Sequence, residues 1–276
     1  MLDNTGVTDP KASLRFAVLS SGSRGNCTWI GNDEHGLIID CGPSTKKIFE
    51  LLDSVGLDGA PINAVLITHE HTDHIGSCRV LEKRLRKLYG EDVPFFMTEG
   101  TWANANQKCL PERIQIVETG VDFSIGPFKI HPITVPHDVS DPVAYKVSFG
   151  ELSMAIVTDL GRPTGILKTH LSDLDALVLE SNYDATLLEN GSYPFKVQQR
   201  IRSNHGHLSN RQSADLLRSI VSPKLKYVVL AHLSDENNEP DIAMHRAKDA
   251  LGNSKASLSV AKQLSAHPVI ELRPNA

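Results

Sequence analysis

His69-Glu70-His71-Thr72-Asp73-His74 follows directly on the apolar run Ala64-Val65-Leu66-Ile67-Thr68. The run reads as a short buried strand. The six residues after it carry three imidazoles and, at Asp73, a carboxylate. Positions i, i+2, i+4 and i+5 do not share one helix face. A loop at a strand end, by contrast, can turn all four side chains to one point. Imidazole with carboxylate suits zinc, manganese or iron. Four such groups this close predict two neighbouring ions rather than one. Burying so many titratable groups unpaired would be costly, which argues against an accidental polar loop.

Three later positions repeat the form of an apolar run with a ligand at its end. His137, followed by Asp138, comes after the run 128–135. Asp159, in Thr158-Asp159-Leu160-Gly161, ends the run 152–157, and His232 ends the run 227–231. Active sites on α/β sheets gather at such strand ends. His131 lies inside a strand and reads as a surface or structural residue.

The surrounding pattern predicts further strands at 16–19, 37–40, 93–97, 144–149 and 177–179. Helices are expected at 44–55 (capped by Ser44), 77–89, 209–221 and 240–251, and the tail returns to strand. There is no internal repeat, charge block or low-complexity linker. The expectation is one α/β domain over residues 1–276, with sheets covered by helices and a flexible tail at 1–12.

The 276 residues are 40% hydrophobic and 22% charged, which describes an ordinary globule with material for a core. The formal net charge of −5 gives no global pull towards nucleic acid, so any such contact needs a local basic patch. An aromatic content of 5% excludes extensive base-stacking platforms. Cys27, Cys41, Cys78 and Cys109 form no CxxC pair and no disulfide framework, and read as reduced thiols of a cytoplasmic protein. They are expected as small buried apolar residues; because Cys41 and Cys78 lie near the motif, a metal-ligand role for one of them is the alternative. Residues 1–11 have neither the basic nor the apolar region of a secretory signal, and no apolar stretch is long enough to cross a membrane.

The metal motif, with a later His, Asp and His in that order, resembles the signature of the metallo-β-lactamase superfamily. Further stretches are similar to its WalJ/YycJ-type branch of small bacterial metallohydrolases. These are Ser21-Gly22-Ser23-Arg24-Gly25-Asn26, Ile39-Asp40-Cys41-Gly42, Glu180-Ser181-Asn182-Tyr183-Asp184, Gly206-His207-Leu208-Ser209-Asn210 and His232-Leu233-Ser234-Asp235-Glu236-Asn237-Asn238. The resemblance spans roughly residues 14–260. Tyr183 stands where the branch has His, and Ala144 where it has Gly.

The resemblance implies a four-layer αββα sandwich and two divalent ions, zinc or manganese, with iron also compatible. It assigns His69, His71 and His137 to one ion and Asp73, His74 and His232 to the other, with Asp159 bridging. It also implies phosphodiester hydrolysis. Glu180 and His207 fall where phosphodiester-cleaving relatives carry a Glu-His pair, His207 to protonate the leaving oxygen and Glu180 to hold its tautomer. Asp73 would orient the nucleophile. Ser209 and Asn210 open a helix whose N-terminus suits a phosphate, and Ser23 and Asn26 in the Gly22–Gly25 turn are further candidate substrate contacts.

The specific expectation is a 5′ to 3′ DNA exonuclease, with DNA favoured over RNA, in mismatch repair. The alternative is a phosphodiesterase for a cyclic nucleotide or sugar phosphate. A lactonase, thioesterase or β-lactamase would leave Glu180 and His207 without a role. A non-hydrolytic metal protein would not need Asp73. Two basic clusters offer tracks for a polyanion: Arg79, Lys83, Arg84, Arg86 and Lys87, and, around His207, Lys196, Arg200, Arg202 and Arg211. Either could equally be a solvated surface. The oligomeric state is not legible.

Overall fold

The computed structural model describes residues 13–274; the expected tail at 1–12 lies outside the described residues. β1 (Leu14–Ser20), β2 (Cys27–Gly31), β3 (Gly36–Ile39), β4 (Ala64–Leu66), β5 (Phe95–Thr98) and β6 (Ile114–Val117) lie side by side in chain order. α1 (Thr45–Ser54), α2 (Thr72–Ile75), α3 (Cys78–Tyr89) and α4 (Glu99–Asn104) connect them. The second sheet takes β7 (Phe123–Ile125), β8 (Phe128–Thr134), β9 (Val143–Phe149), β10 (Leu152–Val157), β11 (Ala176–Glu180), β12 (Tyr227–Ala231) and β13 (Ser257–Val260), again in order. Its connections include α5 (Gly165–Leu171), α6 (Ala185–Asn190), α7 (Phe195–Arg202), α8 (Asn210–Ile220) and α9 (Pro240–Leu251). β14 (Ile270–Leu272) then returns to pair with β1 at the edge of the first sheet.

Each sheet begins with antiparallel strands and continues with parallel ones: β3 to β6 in the first, β10 to β13 in the second. Parallel strands need helical crossovers, and these cover the outer faces. Strands buried on both faces then read as continuous apolar runs. In β1, Leu14, Phe16 and Val18 face the other sheet, while Ala17 and Leu19 pack with Ile48, Leu51 and Leu52 of α1. In β10, Met154 and Ile156 enter the inter-sheet core, while Ala155 and Val157 pack under Leu167 of α5 and Leu217 of α8. The layers are therefore helix, sheet, sheet, helix, the αββα sandwich expected.

The parallel strands point their C-terminal ends at one rim. Asp40 follows β3, Thr68-His69 follows β4, Asp159 follows β10, Glu180 ends β11 and His232 follows β12. Register puts Glu180 beside Ala231, one residue before His232. The metal motif departs from the expected loop. Its second half is the short helix α2, which carries Asp73 and His74 in a single turn. Gly42 makes this possible, because a Cβ there would lie 1.8 Å from the carbonyl oxygen of Asp73.

Candidate metal centre

Ligand-type atoms converge at this rim in four overlapping groups, each with its atoms within 4.8 Å of one another. Two share no residue, His69, His71 and His137 in the first and Asp73, His74 and His232 in the second; the others are His69, His74 and Asp159, and Asp159, Glu180, His207 and His232. In the first, His69 Nε2 faces His71 Nδ1 at 3.1 Å, and His137 Nε2 lies 3.4 Å from the same Nδ1. Asp159 stands between the two that share no residue, with Oδ1 3.7 Å from His137 Nε2 and Oδ2 3.1 Å from His74 Nε2. All seven residues read from the sequence as ligands are thus brought together.

The outer nitrogens of four rings are held from behind. His74 Nδ1 donates to Asp40 Oδ2 (2.8 Å) and His232 Nδ1 to Glu180 Oε1 (3.0 Å). His137 Nδ1 donates to the carbonyl of Gly206 (3.1 Å), and His69 Nδ1 to the hydroxyl of Thr68 (3.0 Å), which donates onward to Asp40. Fixing a proton on Nδ1 leaves Nε2 with its lone pair aimed inward, the arrangement a cation needs. The burial of Asp159 Oδ2 without a hydrogen-bond partner points the same way. The residues present therefore fit divalent metal ions.

Charge follows the same logic. Burial pushes His69 and His137 below the usual histidine value, leaving neutral rings. Burial also opposes charge on His74 and His232, but the carboxylates outweigh it. Asp40 and Asp159 hold His74 up, and Asp159, Asp73 and Glu180 push His232 up to about 10. Against their own burial, Asp159 and Asp73 are held well below the carboxylate range by these two histidines. Protons thus sit where cations would, and metal binding must displace them.

The backbone is strained at the same places. Asp40, Asp159 and His232 have φ of 59°, 57° and 54°, a left-handed conformation uncommon outside glycine. Each is the turn that swings a strand-end side chain into the cluster, so strain and site coincide.

Glu180 is fully buried and fills both oxygens. Oε1 accepts from His207 Nδ1 (2.7 Å) and His232 Nδ1, and Oε2 from the backbone N–H of Leu160 (2.9 Å) and Leu208 (3.1 Å). His207, expected to pair with Glu180, does so, with Nδ1 3.7 Å from Asp159 Oδ1. Sequence reasoning overlooked the supporting roles of Asp40 and Thr68, although the strand-end position of Asp40 was visible. It also overlooked the pairing of Arg200 with Asp138, whose Oδ1 lies 3.5 Å from His137 Nε2.

The expected substrate contacts divide. Ser23 is exposed at the tip of its turn. Asn26 is buried between two ligand candidates, its Nδ2 2.9 Å from His74 Nε2 and 3.4 Å from Asp73 Oδ2. Ser209 is the N-cap of α8, its hydroxyl engaged in a capping box with Gln212. Asn210 is a correction: its amide is buried and bonded to Ser181 and Asn238, which makes it a support of the site and not a surface contact. Cys41 and Cys78 are small buried residues, as read from the sequence. Their sulfurs meet each other at 3.1 Å, outside the ligand groups, and burial raises both thiols above the usual value.

Tyr183 is buried, and its backbone carbonyl accepts from the N–H of Asn210. Ala144 packs in the core under the outer helices. His131 pairs with Asp122 and stacks on His170 at 4.2 Å, a structural role apart from the centre.

An αββα sandwich with histidines and aspartates gathered at the strand ends defines the class as a metal-binding fold of the metallo-β-lactamase kind. The family model described as Metallo-beta-lactamase superfamily matches residues 21–232, and the chain belongs to that superfamily. It is 32% identical over 234 residues to Exodeoxyribonuclease YycJ of Bacillus anthracis, covering 83% of this chain and 86% of that one. It is 33% identical over 235 residues to Exodeoxyribonuclease WalJ of Streptococcus pneumoniae serotype 2, covering 83% and 85%. The fold is similar to the metallo-beta-lactamase fold protein YhfI from Bacillus subtilis, with a TM-score of 0.73 at 16% identity over 95% of this chain and all of that one.

Proposed function

We propose that this chain is a dinuclear metal-dependent phosphodiester hydrolase that removes nucleotides stepwise from DNA, from the 5′ end. The observation that carries the reading is the Glu180-His207 pair, hydrogen-bonded at 2.7 Å beside the ligand cluster. Such a pair serves a reaction whose leaving oxygen needs a proton. The exodeoxyribonuclease names of the two relatives support DNA as the polymer.

His69, His71 and His137 would hold one ion, and Asp73, His74 and His232 the other, with Asp159 shared between them. The ions, zinc or manganese, supply Lewis acidity that lowers the pKa of water and stabilises an anionic transition state. Asp73, its side chain 24% exposed against 4% for Asp159, is the carboxylate of the set open enough to accept a hydrogen bond from the attacking water and orient it. Glu180 occupies Nδ1 of His207, so Nε2 is the atom that delivers a proton to the leaving oxygen. Asp138, paired with Arg200, steadies the loop that bears His137.

The reading treats residues 1–276 as one domain of a cytoplasmic protein. Reduced cysteines are in keeping with that, and no helix among the described residues is long and apolar enough to cross a membrane.

The test is a manganese-supplemented nuclease assay on 5′- and 3′-labelled DNA, single- and double-stranded, with RNA alongside. Stepwise release from 5′ ends, abolished in Asp73→Ala, is the expected result. Hydrolysis of bis(p-nitrophenyl) phosphate with every polymer left intact would overturn the nuclease reading.

A further inference from the structure

α7 is an unusual helix for this fold, because none of its residues is buried. Phe195, at its N-terminus, is 71% exposed, more than any other large apolar side chain among the described residues. A solvated phenylalanine at a helix start contributes nothing to the core; one such ring alone is ordinary on a protein surface, and it is the charges around it that single this one out.

The helix is nonetheless bound tightly to the metal centre. The N–H of His207 donates to the carbonyl of Ile201 at 2.9 Å. Gly206, whose carbonyl holds ligand His137, lies so close that a Cβ there would come within 2.2 Å of the carbonyls of Arg200 and Ile201. Arg200 also binds Asp138, next to His137 in the chain. α7 is thus tied to the centre at its C-terminal end, where Arg200 and Ile201 meet the loops that carry His137 and His207.

The charge on α7 is of one sign. At 100° per residue, Phe195, Gln199 and Arg202 form one stripe, and Lys196 and Arg200 the adjacent one. All five are exposed, and α7 carries no acidic residue. Lys196 and Arg202 have no carboxylate within 4.0 Å among the described residues, so only Arg200 is neutralised in place. An aromatic ring flanked by cations without carboxylate partners is complementary to a strand of unpaired nucleotides, which offers π-faces and phosphates at alternating positions. A purely apolar partner would leave the cations without counter-charges, and a small phosphodiester would not reach the ring. Phe195 is five residues from Arg200, about 7.5 Å along the helix axis.

We propose that α7 is the platform for the substrate strand. The ring of Phe195 stacks on the base of a nucleotide close to the scissile phosphate, and Lys196 and Arg202 neutralise the neighbouring phosphates. This deepens the nuclease reading and rests on it.

The test compares two substrates on the same preparations: a 5′-labelled single-stranded oligonucleotide and bis(p-nitrophenyl) phosphate. Phe195→Ala is expected to raise KM for the oligonucleotide by about 5- to 100-fold, the range of losing one base stack. It should leave hydrolysis of the small ester unchanged, which also reports that the centre is intact. Phe195→Trp should retain the wild-type KM. A single abasic nucleotide stepped along the strand should reproduce the loss at one position in the wild type and add nothing in Phe195→Ala. An unchanged oligonucleotide KM in Phe195→Ala would overturn the platform while leaving the nuclease reading standing. Equal losses on both substrates would also overturn it, making Phe195 a support of the fold. A wild-type protein that cleaves the small ester but no oligonucleotide would overturn both.

Discussion

Two buried carboxylates hold the metal cluster from opposite sheets. Asp40, after β3, grips His74 directly and His69 through the hydroxyl of Thr68. Glu180, at the end of β11, grips His232 and, with the same oxygen, His207. The device is identical, a carboxylate fixing Nδ1 so that Nε2 faces the centre. The outcome differs because both dependants of Asp40 are ligand candidates, whereas Glu180 has one ligand candidate and one histidine outside the proposed ligand set. On the first sheet the carboxylate therefore serves ligand candidates only, whereas on the second it also holds a group free to move a proton.

That contrast can be broken experimentally. Glu180→Gln should cause the largest loss. It removes the negative charge behind both histidine bonds and turns an NH2 donor against either the two histidines or the N–H groups of Leu160 and Leu208, perturbing metal and proton transfer together, so turnover should fall on the order of 10³-fold or more. Raising the metal concentration should not restore it; full rescue would reduce Glu180 to the role of Asp40. His207→Ala should cost about 10²- to 10⁴-fold on a substrate with a poor leaving group and far less on an activated nitrophenyl ester. A uniform loss across leaving groups would remove His207 as the acid. Asp40→Asn should weaken metal affinity about 10- to 100-fold, with activity recovered at high metal, as read by titration against a chelator.

A smaller effect separates the two sides by pH. In the metal-free protein the folded His232 is pushed up to about 10, above an unfolded value near 6.5. A raised histidine contributes stability that is fully present below the unfolded value and lost as pH rises through the folded one. The melting temperature of metal-free protein should accordingly decline between about pH 7 and 10. Saturating metal should flatten the curve by replacing the proton, and an identical decline with metal bound would contradict the assignment of His232 as a ligand. The smallest effect is expected at α3. Lys87→Glu should change DNA cleavage by less than about twofold, since a solvated charge on an outer helix contributes little. A larger loss would add that helix to the substrate track.

Much of the fold was legible because strands buried on both faces leave unbroken apolar runs. The runs at 64–68, 152–157 and 227–231 correspond to β4, β10 and β12, and Pro240–Leu251 matches α9. β2, β6, β7 and the helices α4 to α7 were not anticipated. β6 and β7 are short and partly exposed, so their alternation is weak, and α7 buries nothing and has no apolar stripe to read. The helical turn inside the metal motif was also hidden, since four residues are too few for a periodicity.

The sequence by itself determined the chemistry of the centre, because imidazole and carboxylate side chains at the ends of apolar runs carry their ligand character wherever the chain folds. Only the tertiary structure decided how they are shared. Asp40 meets Thr68 and His74, and Glu180 meets His207 and His232, 27 and 52 residues away. Those meetings depend on parallel strands ending at one rim and on left-handed turns at Asp40, Asp159 and His232. Hydrogen bonds between residues so far apart in the chain leave no periodic trace in the sequence.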